Sequence, residues 1–356
     1  MNDIINQPFH TIDQPERDQF NPQLLEKSND NQPTEMSTKT TITHPFWVIV
    51  NKEITDHVRS WRFMIIIGLL ILTCAGSVYT AMTNMSNAVR PNDPEGTFFF
   101  LKLFTISDGI LPPFFVFIAF LGPLLGIALG FDAVNSELNK GTLSRIIAQP
   151  IHRDYLINAK FTAAIIVIGI MFFALGFTVT GVGLFAIGIP PTVDEFLRVV
   201  SFILLSILYI AFWLNLSILF SIKFKQAATS ALSAIGIWLF FSIFFDLIIN
   251  MISKSTMPSA MTSTSQIIGH QKIIMILQSL SPSQLFSEVT TTLLMPSVRS
   301  LGPLMMEQMH GAIPSPLPLG QSLLIVWPQL TGLIAATILC FALSYVSFMR
   351  KEIRSR

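Results

Sequence analysis

The stretch FMIIIGLLILTCAGSVYTAM, residues Phe63 to Met82, decides the fold class because it holds twenty consecutive residues without a charged side chain. At about 1.5 Å per residue, a helix of this length extends roughly 30 Å, the thickness of the hydrocarbon layer of a bilayer. The whole chain of 356 residues shares this character, since 12% of its residues are charged and 51% are hydrophobic. We therefore expect an all-α integral membrane protein.

Five further stretches are long and apolar enough to cross a bilayer. The six predicted spans are 63–82, 113–131, 161–189, 199–222, 227–252 and 323–349. Lys and Arg concentrate in the second connection and beside the two ends of this region, so the positive-inside rule places both termini in the cytoplasm. The remaining predicted segments are a disordered polar cytoplasmic tail (1–44), an inner loop (132–160), a long outer loop (253–322) and a basic cytoplasmic tail (350–356).

Residues 45–62 have the pattern of an amphipathic helix. Apolar side chains recur at steps of three and four residues, at Trp47, Val50, Ile54, Val58 and Trp61. We predict a helix that begins at Thr43 or His44, has Pro45 in its first turn and lies along the membrane surface with Glu53 on its polar side. In the outer loop, short apolar runs separated by prolines predict short helices that rest on the outer leaflet or dip into it.

The sequence contains no motif for catalysis. It has no GxxxxGK[ST] phosphate loop, no HExxH zinc pair and no GxSxG elbow, and its six histidines are scattered. Positive charges (22) and negative charges (21) nearly cancel, which argues against a nucleic-acid partner. We expect neither catalytic residues nor a metal site. One alternative stays open at Met305, Met306, Met309 and His310, whose soft ligands fit either a Cu(I) contact or ordinary packing.

Two features within the predicted spans point to packing or transport. Gly122, Gly126 and Gly130 line one face of the second span, where another helix can approach closely, either within the chain or across a subunit seam; Pro123 frees a carbonyl beside them. Asp246 is the one ionisable residue well inside a predicted span. An intramembrane carboxylate either lines a translocation path or is satisfied structurally by water or a loop residue such as Lys254.

The inner loop is the most informative connection. Gly141 is suited to end one helix, Thr142 to cap the next and Pro150 to stop it, so we predict a short amphipathic helix held below the membrane by two spans. The alternative is a solvated loop whose charges only set the orientation.

This loop resembles the connection between the second and third spans of ABC-2 type transporter permeases. The resemblance rests on Glu137, Gly141-Thr142, Pro150, Arg153 and Lys160 leading into a span. Lys52-Glu53 in the amphipathic helix, the six spans, and Leu280-Ser281-Pro282 before Leu285-Phe286 are also similar, so the resemblance covers about residues 45–350. The branch that it indicates includes the permeases of copper-maturation and gliding-motility systems.

The resemblance implies a bacterial or archaeal plasma-membrane permease whose inner loop forms a coupling helix against a separate cytoplasmic ATPase. Residues that would contact the ATPase or shape that contact are Glu137, Gly141, Thr142, Arg145, Pro150 and Arg153. It also implies an amphipathic elbow helix, re-entrant helices before the last span, and a dimer of six-span halves with two ATPase subunits that bind ATP and Mg. The halves are either identical or different.

The function expected from these features is that of the membrane subunit of an ATP-driven exporter. The alternative is an ATP-independent channel or scaffold in which Asp246 lines a pore and the inner loop docks another cytoplasmic protein. The sequence does not identify the cargo.

Overall fold

A computed structural model describes residues 44–88, 98–107, 109–142, 152–188, 190–256, 264–296 and 316–351. The predictions for the tail before residue 44, for the helix expected after Thr142 and for Met305 to His310 fall outside these residues. Among the described residues, all regular secondary structure is helical. In chain order the helices are α1 (Pro45–Val58), α2 (Trp61–Ala88), α3 (Phe99–Thr105), α4 (Phe114–Gly130), α5 (Asn135–Asn139), α6 (Arg153–Ile187), α7 (Val193–Lys223), α8 (Ala227–Ser255), α9 (Thr264–Gln278), α10 (Pro282–Leu294), α11 (Leu319–Ile325) and α12 (Trp327–Arg350).

Six of these helices, α2, α4, α6, α7, α8 and α12, are long and apolar enough to cross a membrane, as the sequence predicts. The boundaries of several differ from the prediction. Helix α6 begins at Arg153, eight residues before the expected start, because the charged residues of its first turns have partners within the protein. The inner loop is therefore shorter than 132–160.

Two other boundaries follow local backbone preferences. The amphipathic helix ends at Val58 instead of Arg62, and a break at Arg59 and Ser60 separates it from α2. The last span begins at Trp327 instead of Leu323, because Pro328 occupies its first turn, a position that suits a residue without an N–H group. The start of α1 agrees with the prediction, since the Nδ1 of His44 accepts a hydrogen bond from the N–H of Phe46.

Helix α7 is the centre of the bundle and packs against α4, α6, α8, α10 and α12. Its closest neighbour is α4, whose glycine face lies against it. A Cβ atom on Gly126 would come within 2.7 Å of the carbonyl oxygen of Ile210, and one on Gly130 within 2.8 Å of the carbonyl oxygen of Leu214. This face of α4 is thus used inside the chain, where the two backbones are in contact.

Helix α10 enters the bundle. At one end, the hydroxyl groups of Ser283 and Tyr209 lie 3.0 Å apart, and at the other, Nη1 of Arg198 donates to the carbonyl of Leu293 at 2.9 Å. Arg198 and Tyr209 are eleven residues apart on α7, or about 16 Å. Helix α10 therefore runs along about a third of α7 and begins beside the middle of that span, which agrees with a segment that dips into the membrane.

The short helix α3 is absent from the sequence-based expectation. Its residues Phe100 to Phe104 are buried, and the N–H of Phe100 donates to the carboxylate of Glu195 at 3.0 Å. Helix α8 is the least buried of the six spans and contains a π-helical segment, Phe240–Phe244. We call the two ends of the bundle the Glu137 end and the Arg198 end, after a charged residue that lies at each.

Candidate functional site: an ion cluster at the Glu137 end

Four charged side chains from three helices meet at the Glu137 end. Nζ of Lys160 lies 3.0 Å from Oε2 of Glu53 and 2.8 Å from Oε1 of Glu137. Nζ of Lys52 lies 2.9 Å from Oε1 of Glu53 and 3.5 Å from Oε1 of Glu137. The cluster therefore joins the amphipathic helix α1, the loop helix α5 and the first turns of span α6.

The centre of the cluster is buried, with the side chain of Lys160 4% exposed and that of Glu53 7% exposed. Burial alone would raise the pKa of Glu53, but Lys160 and Lys52 together hold it below its ordinary value. Burial likewise opposes the charge on Lys52, yet Glu53 and Glu137 raise the pKa of that lysine. The shifted pKa values of Glu53 and Lys52 both favour the charged forms of these two groups.

The position of Glu53 follows from the packing of α1 on α6. Val50 is fully buried against Ala159 and Ala163, and Glu53 lies one helical turn further along the same face. The same face therefore carries both the apolar contact and the carboxylate that meets Lys160. The prediction from the amphipathic pattern that Glu53 lies on the polar side of the helix is therefore wrong.

A second ion pair joins the start of α2 to the end of α4. Nη2 of Arg62 lies 2.7 Å from Oδ2 of Asp132, and the guanidinium group lies over the ring of Phe131 at 4.7 Å. Between this pair and the ion cluster is a cavity of about 560 Å³ lined by side chains of both charges, including Asp56 and Lys140.

Helix α5 is fixed to α7 as well as to the cluster. The hydroxyl oxygen of Ser221 accepts hydrogen bonds from the N–H groups of Val134 and Asn135, at 2.9 and 3.1 Å. The side-chain amide of Asn139 donates to the carbonyl of Lys225 at 2.9 Å. Displacement of α5 would therefore move the end of the central span.

The predicted coupling residues occupy different positions around α5. Gly141 follows the helix with φ of +68°, the left-handed conformation expected of a glycine that ends a helix. The hydroxyl of Thr142 donates to the carbonyl of Glu137 at 3.3 Å. Arg145 and Pro150 lie outside the described residues.

Arg153, the last of the predicted coupling residues, is bound to the end of the last span. Its Nη2 donates to the carbonyls of Lys351 and Phe348, at 2.7 and 3.2 Å, and its guanidinium group lies 5.4 Å from the centre of the Phe348 ring. Both carbonyls lie at the C-terminus of α12, where a cation is favourable, and that of Phe348 also accepts a hydrogen bond from the N–H of Lys351. Arg153 therefore joins α6 to α12.

Asp246 lies away from the ion cluster, on α8 two residues after the end of the π-helical segment. It is exposed on the surface of the chain and makes no hydrogen bond or ion pair with any residue that the structure describes, Lys254 included. Within the described ranges, no three His, Cys, Asp or Glu side chains are grouped as metal ligands.

Sequence reasoning missed the second polar centre, at the Arg198 end. Arg198 is fully buried, and its guanidinium group donates to Asp194 at 2.7 Å and to the carbonyls of Leu293 and Leu317 at 2.9 and 2.5 Å. It therefore holds the end of α10 to α7 and to the segment before α11. The available signal was Asp194, four residues earlier on the same helical face.

The arrangement of six spans, a loop helix and an ion cluster can be compared with known proteins. A family model described as "ABC-2 family transporter protein" matches residues 47–353. The chain is 26% identical over 207 residues to the probable ABC transporter permease protein NosY of Pseudomonas aeruginosa, covering 56% of this chain and 68% of that protein. It is 26% identical over 215 residues to the protein of the same name from Stutzerimonas stutzeri, covering 57% and 68%.

The family match covers all six spans, the ion cluster and the amphipathic helix from Trp47 onward, and both relatives are named as probable ABC transporter permeases. The chain is therefore a multi-pass membrane protein and a permease subunit of an ABC transporter, and it belongs to the ABC-2 family of transporter proteins.

Proposed function

We propose that the chain is the membrane half of an ATP-driven exporter, with both termini in the cytoplasm of a bacterial or archaeal cell. ATP and Mg bind to a separate cytoplasmic ATPase, which docks on the Glu137 end in two copies per dimer of permease halves. The observation that carries the proposal is the ion cluster, because it joins the loop helix α5 to both α1 and α6.

The contacts around α5 suggest how force enters the membrane. A push on Gly141 and Thr142 moves α5, and Glu137 transmits the movement through Lys160 to α6 and through Lys52 to α1. Ser221 transmits it to the central span α7. In this proposal the ATPase contacts Gly141, Thr142, Arg145 and Pro150. Glu137 and Arg153 shape that contact through their bonds to other helices of the chain. The helices then move as rigid bodies between two states.

Asp246 supports the placement of the second permease half. A charged side chain that faces lipid at membrane depth is costly, so the exposed carboxylate needs either water or protein beside it. Helix α8 is also the span with the smallest buried fraction, 17%. We infer that the α8 face meets the second half and that Asp246 lines the translocation path between the halves.

The test uses the unusual backbone of Gly141. Proline requires φ near −65° and cannot adopt the observed +68°, whereas asparagine tolerates the left-handed region. After purification in mild detergent, we expect the wild-type chain and Gly141→Asn to retain the ATPase and to stimulate ATP hydrolysis, and Gly141→Pro to lose both while it stays in the membrane. Equal ATPase binding and stimulation by Gly141→Pro and Gly141→Asn would contradict the proposal.

A further inference from the structure

An apolar groove of about 580 Å³ lies between spans α2 and α6, which make few contacts with each other. Its floor is formed by the buried side chains of Cys74, Val78 and Val179. Ile71 and Tyr79 at its sides are 52% and 69% exposed, so the groove opens sideways toward the lipid. A void there would cost its lining van der Waals contacts, so something fills it.

The length of the groove matches one leaflet. It is lined by residues 71–82 of α2 and 171–182 of α6, two parallel stretches of eleven steps each. At 1.5 Å per residue each stretch covers about 16 Å, and half of a hydrocarbon layer of roughly 30 Å is about 15 Å. Since α2 begins at Trp61 at the Glu137 end, the groove occupies the half of the membrane toward the Arg198 end.

The chemistry of the lining excludes a polar ligand along most of the groove. The hydroxyl of Thr178 donates to the carbonyl of Ala174 in its own helix at 2.7 Å, so its proton is not available to a ligand. Tyr79 lies about 27 Å along α2 from Trp61, near the far boundary of a hydrocarbon layer of roughly 30 Å, where an amphipathic ring is favoured. The groove is thus apolar in the hydrocarbon and has a polar residue at its interfacial end.

We propose that this groove is a binding site for one acyl chain of a bilayer phospholipid, from the leaflet at the Arg198 end. The headgroup lies in the interfacial layer near Tyr79 and the chain follows the groove toward Ile71. A second copy of the chain is the competing occupant. We place the second half against α8, which packs on α4 and α7, whereas the groove lies between α2 and α6. The second half would therefore contact a different part of the bundle, which favours lipid as the occupant.

The first test measures lipid contact in the full chain purified in mild detergent. A phospholipid with a diazirine in the middle of one acyl chain is titrated and photolysed, and the labelled peptides are mapped by mass spectrometry. We expect labelling between residues 71 and 82 to saturate, and labelling near Ala335, an exposed alanine of α12, to rise in proportion to the probe. Proportional labelling at both places would overturn the proposal, and this result does not depend on any variant.

The second test fills the groove. Ala75 and Ala174 are small, exposed lining residues, so Ala75→Phe and Ala174→Phe place a ring in the path of the chain. We expect each to lower the apparent affinity of the groove for the probe by about tenfold, the equivalent of roughly 1.4 kcal/mol. Ala335→Phe is the matched control and should leave the apparent affinity of the groove for the probe unchanged. Unchanged affinity in both groove variants would overturn the proposal, as would a disulfide-linked dimer formed by Tyr79→Cys.

These outcomes are independent of the proposed function. Saturable lipid labelling without ATPase binding would refute the coupling proposal alone, and ATPase binding without saturable labelling would refute the lipid site alone.

Discussion

The hydroxyl of Tyr209 donates to the carbonyl of Ala119 at 3.1 Å. This is the carbonyl that Pro123, four residues later in α4, leaves without its helical N–H donor. The same hydroxyl lies 3.0 Å from the hydroxyl of Ser283, in the first turn of α10. One buried phenol therefore satisfies the break in the second span and positions the first turn of α10.

Removing this hydroxyl should destabilise the bundle. Tyr209→Phe keeps the ring that stacks on Phe286 but removes the hydroxyl that pairs with the half-buried carbonyl of Ala119, at a cost of about 1 to 3 kcal/mol. Thermal unfolding of the purified chain in detergent measures the effect. Tyr79→Phe, at a lipid-facing tyrosine that is 69% exposed, is the control and should unfold like the wild type. Equal unfolding of the two variants would show that the Tyr209 hydroxyl has no such role.

The contact between α4 and α7 gives a second prediction. Gly126→Ala places a Cβ atom 2.7 Å from a backbone oxygen of α7, so the two helices must separate. Overpacking of this kind costs about 1 to 3 kcal/mol, and we expect a lower unfolding temperature. Gly68→Ala is matched, because a Cβ atom there meets nothing within 4 Å. If Gly126→Ala were as stable as Gly68→Ala, the close helix contact would be wrong.

The ion cluster predicts an asymmetric response to mutation. Lys160→Met leaves the carboxylates of Glu53 and Glu137 facing each other with the partly exposed Lys52 as their remaining lysine, and loss of one partner from a buried pair costs about 3 to 5 kcal/mol. Adding Glu53→Gln should restore part of the loss, because it removes one of the stranded charges. Thermal unfolding in detergent measures these effects, and Lys254→Met, at an exposed lysine of α8, is the control that shows the effect of losing an exposed lysine. A double variant less stable than Lys160→Met would argue against the pairing.

The charge state of Glu53 predicts how stability depends on pH. Its pKa is lower in the folded protein than the ordinary value of 4.5, because Lys160 and Lys52 outweigh the effect of burial. Its contribution to stability is therefore fully present above about pH 4.5 and is lost as the pH falls through the lower, folded-state value. Unfolding temperatures measured between pH 7 and pH 3 should fall less steeply for Glu53→Gln than for the wild type. Parallel curves would contradict the assignment.

The sequence was sufficient for the features that depend on composition and local pattern. Long apolar runs predict the six spans, Pro45 and His44 predict the start of α1, and Gly141 predicts the end of a helix. The glycine stripe predicts a close helix contact, although the choice between an internal contact and a subunit seam required the partner helix.

The two polar centres were harder to predict from the sequence, because they depend on contacts between residues that are far apart along the chain. Glu53 pairs with Lys160 across 107 positions, and Arg198 meets Leu293 across 95. No local sequence pattern contains both members of such a pair. A charged residue at the end of a span is as consistent with exposure to solvent as with a buried ion pair. The short helix α3 was missed for a similar reason, since seven residues are too few for a periodic signal and its burial comes from the bundle around it.

The most direct measurement of the central claim is the accessibility of the loop helix end in membranes that contain the ATPase. Lys140→Cys provides an exposed thiol beside Gly141, whereas the two natural cysteines, Cys74 and Cys340, are buried. Val193→Cys, at a residue 77% exposed at the Arg198 end, is the control for the other side. With a membrane-impermeant maleimide, we expect Lys140→Cys to react in inside-out vesicles, and to react more slowly once the ATPase is bound, while Val193→Cys reacts in intact cells. Reaction of Lys140→Cys in intact cells, or a rate that the ATPase does not change, would contradict the account.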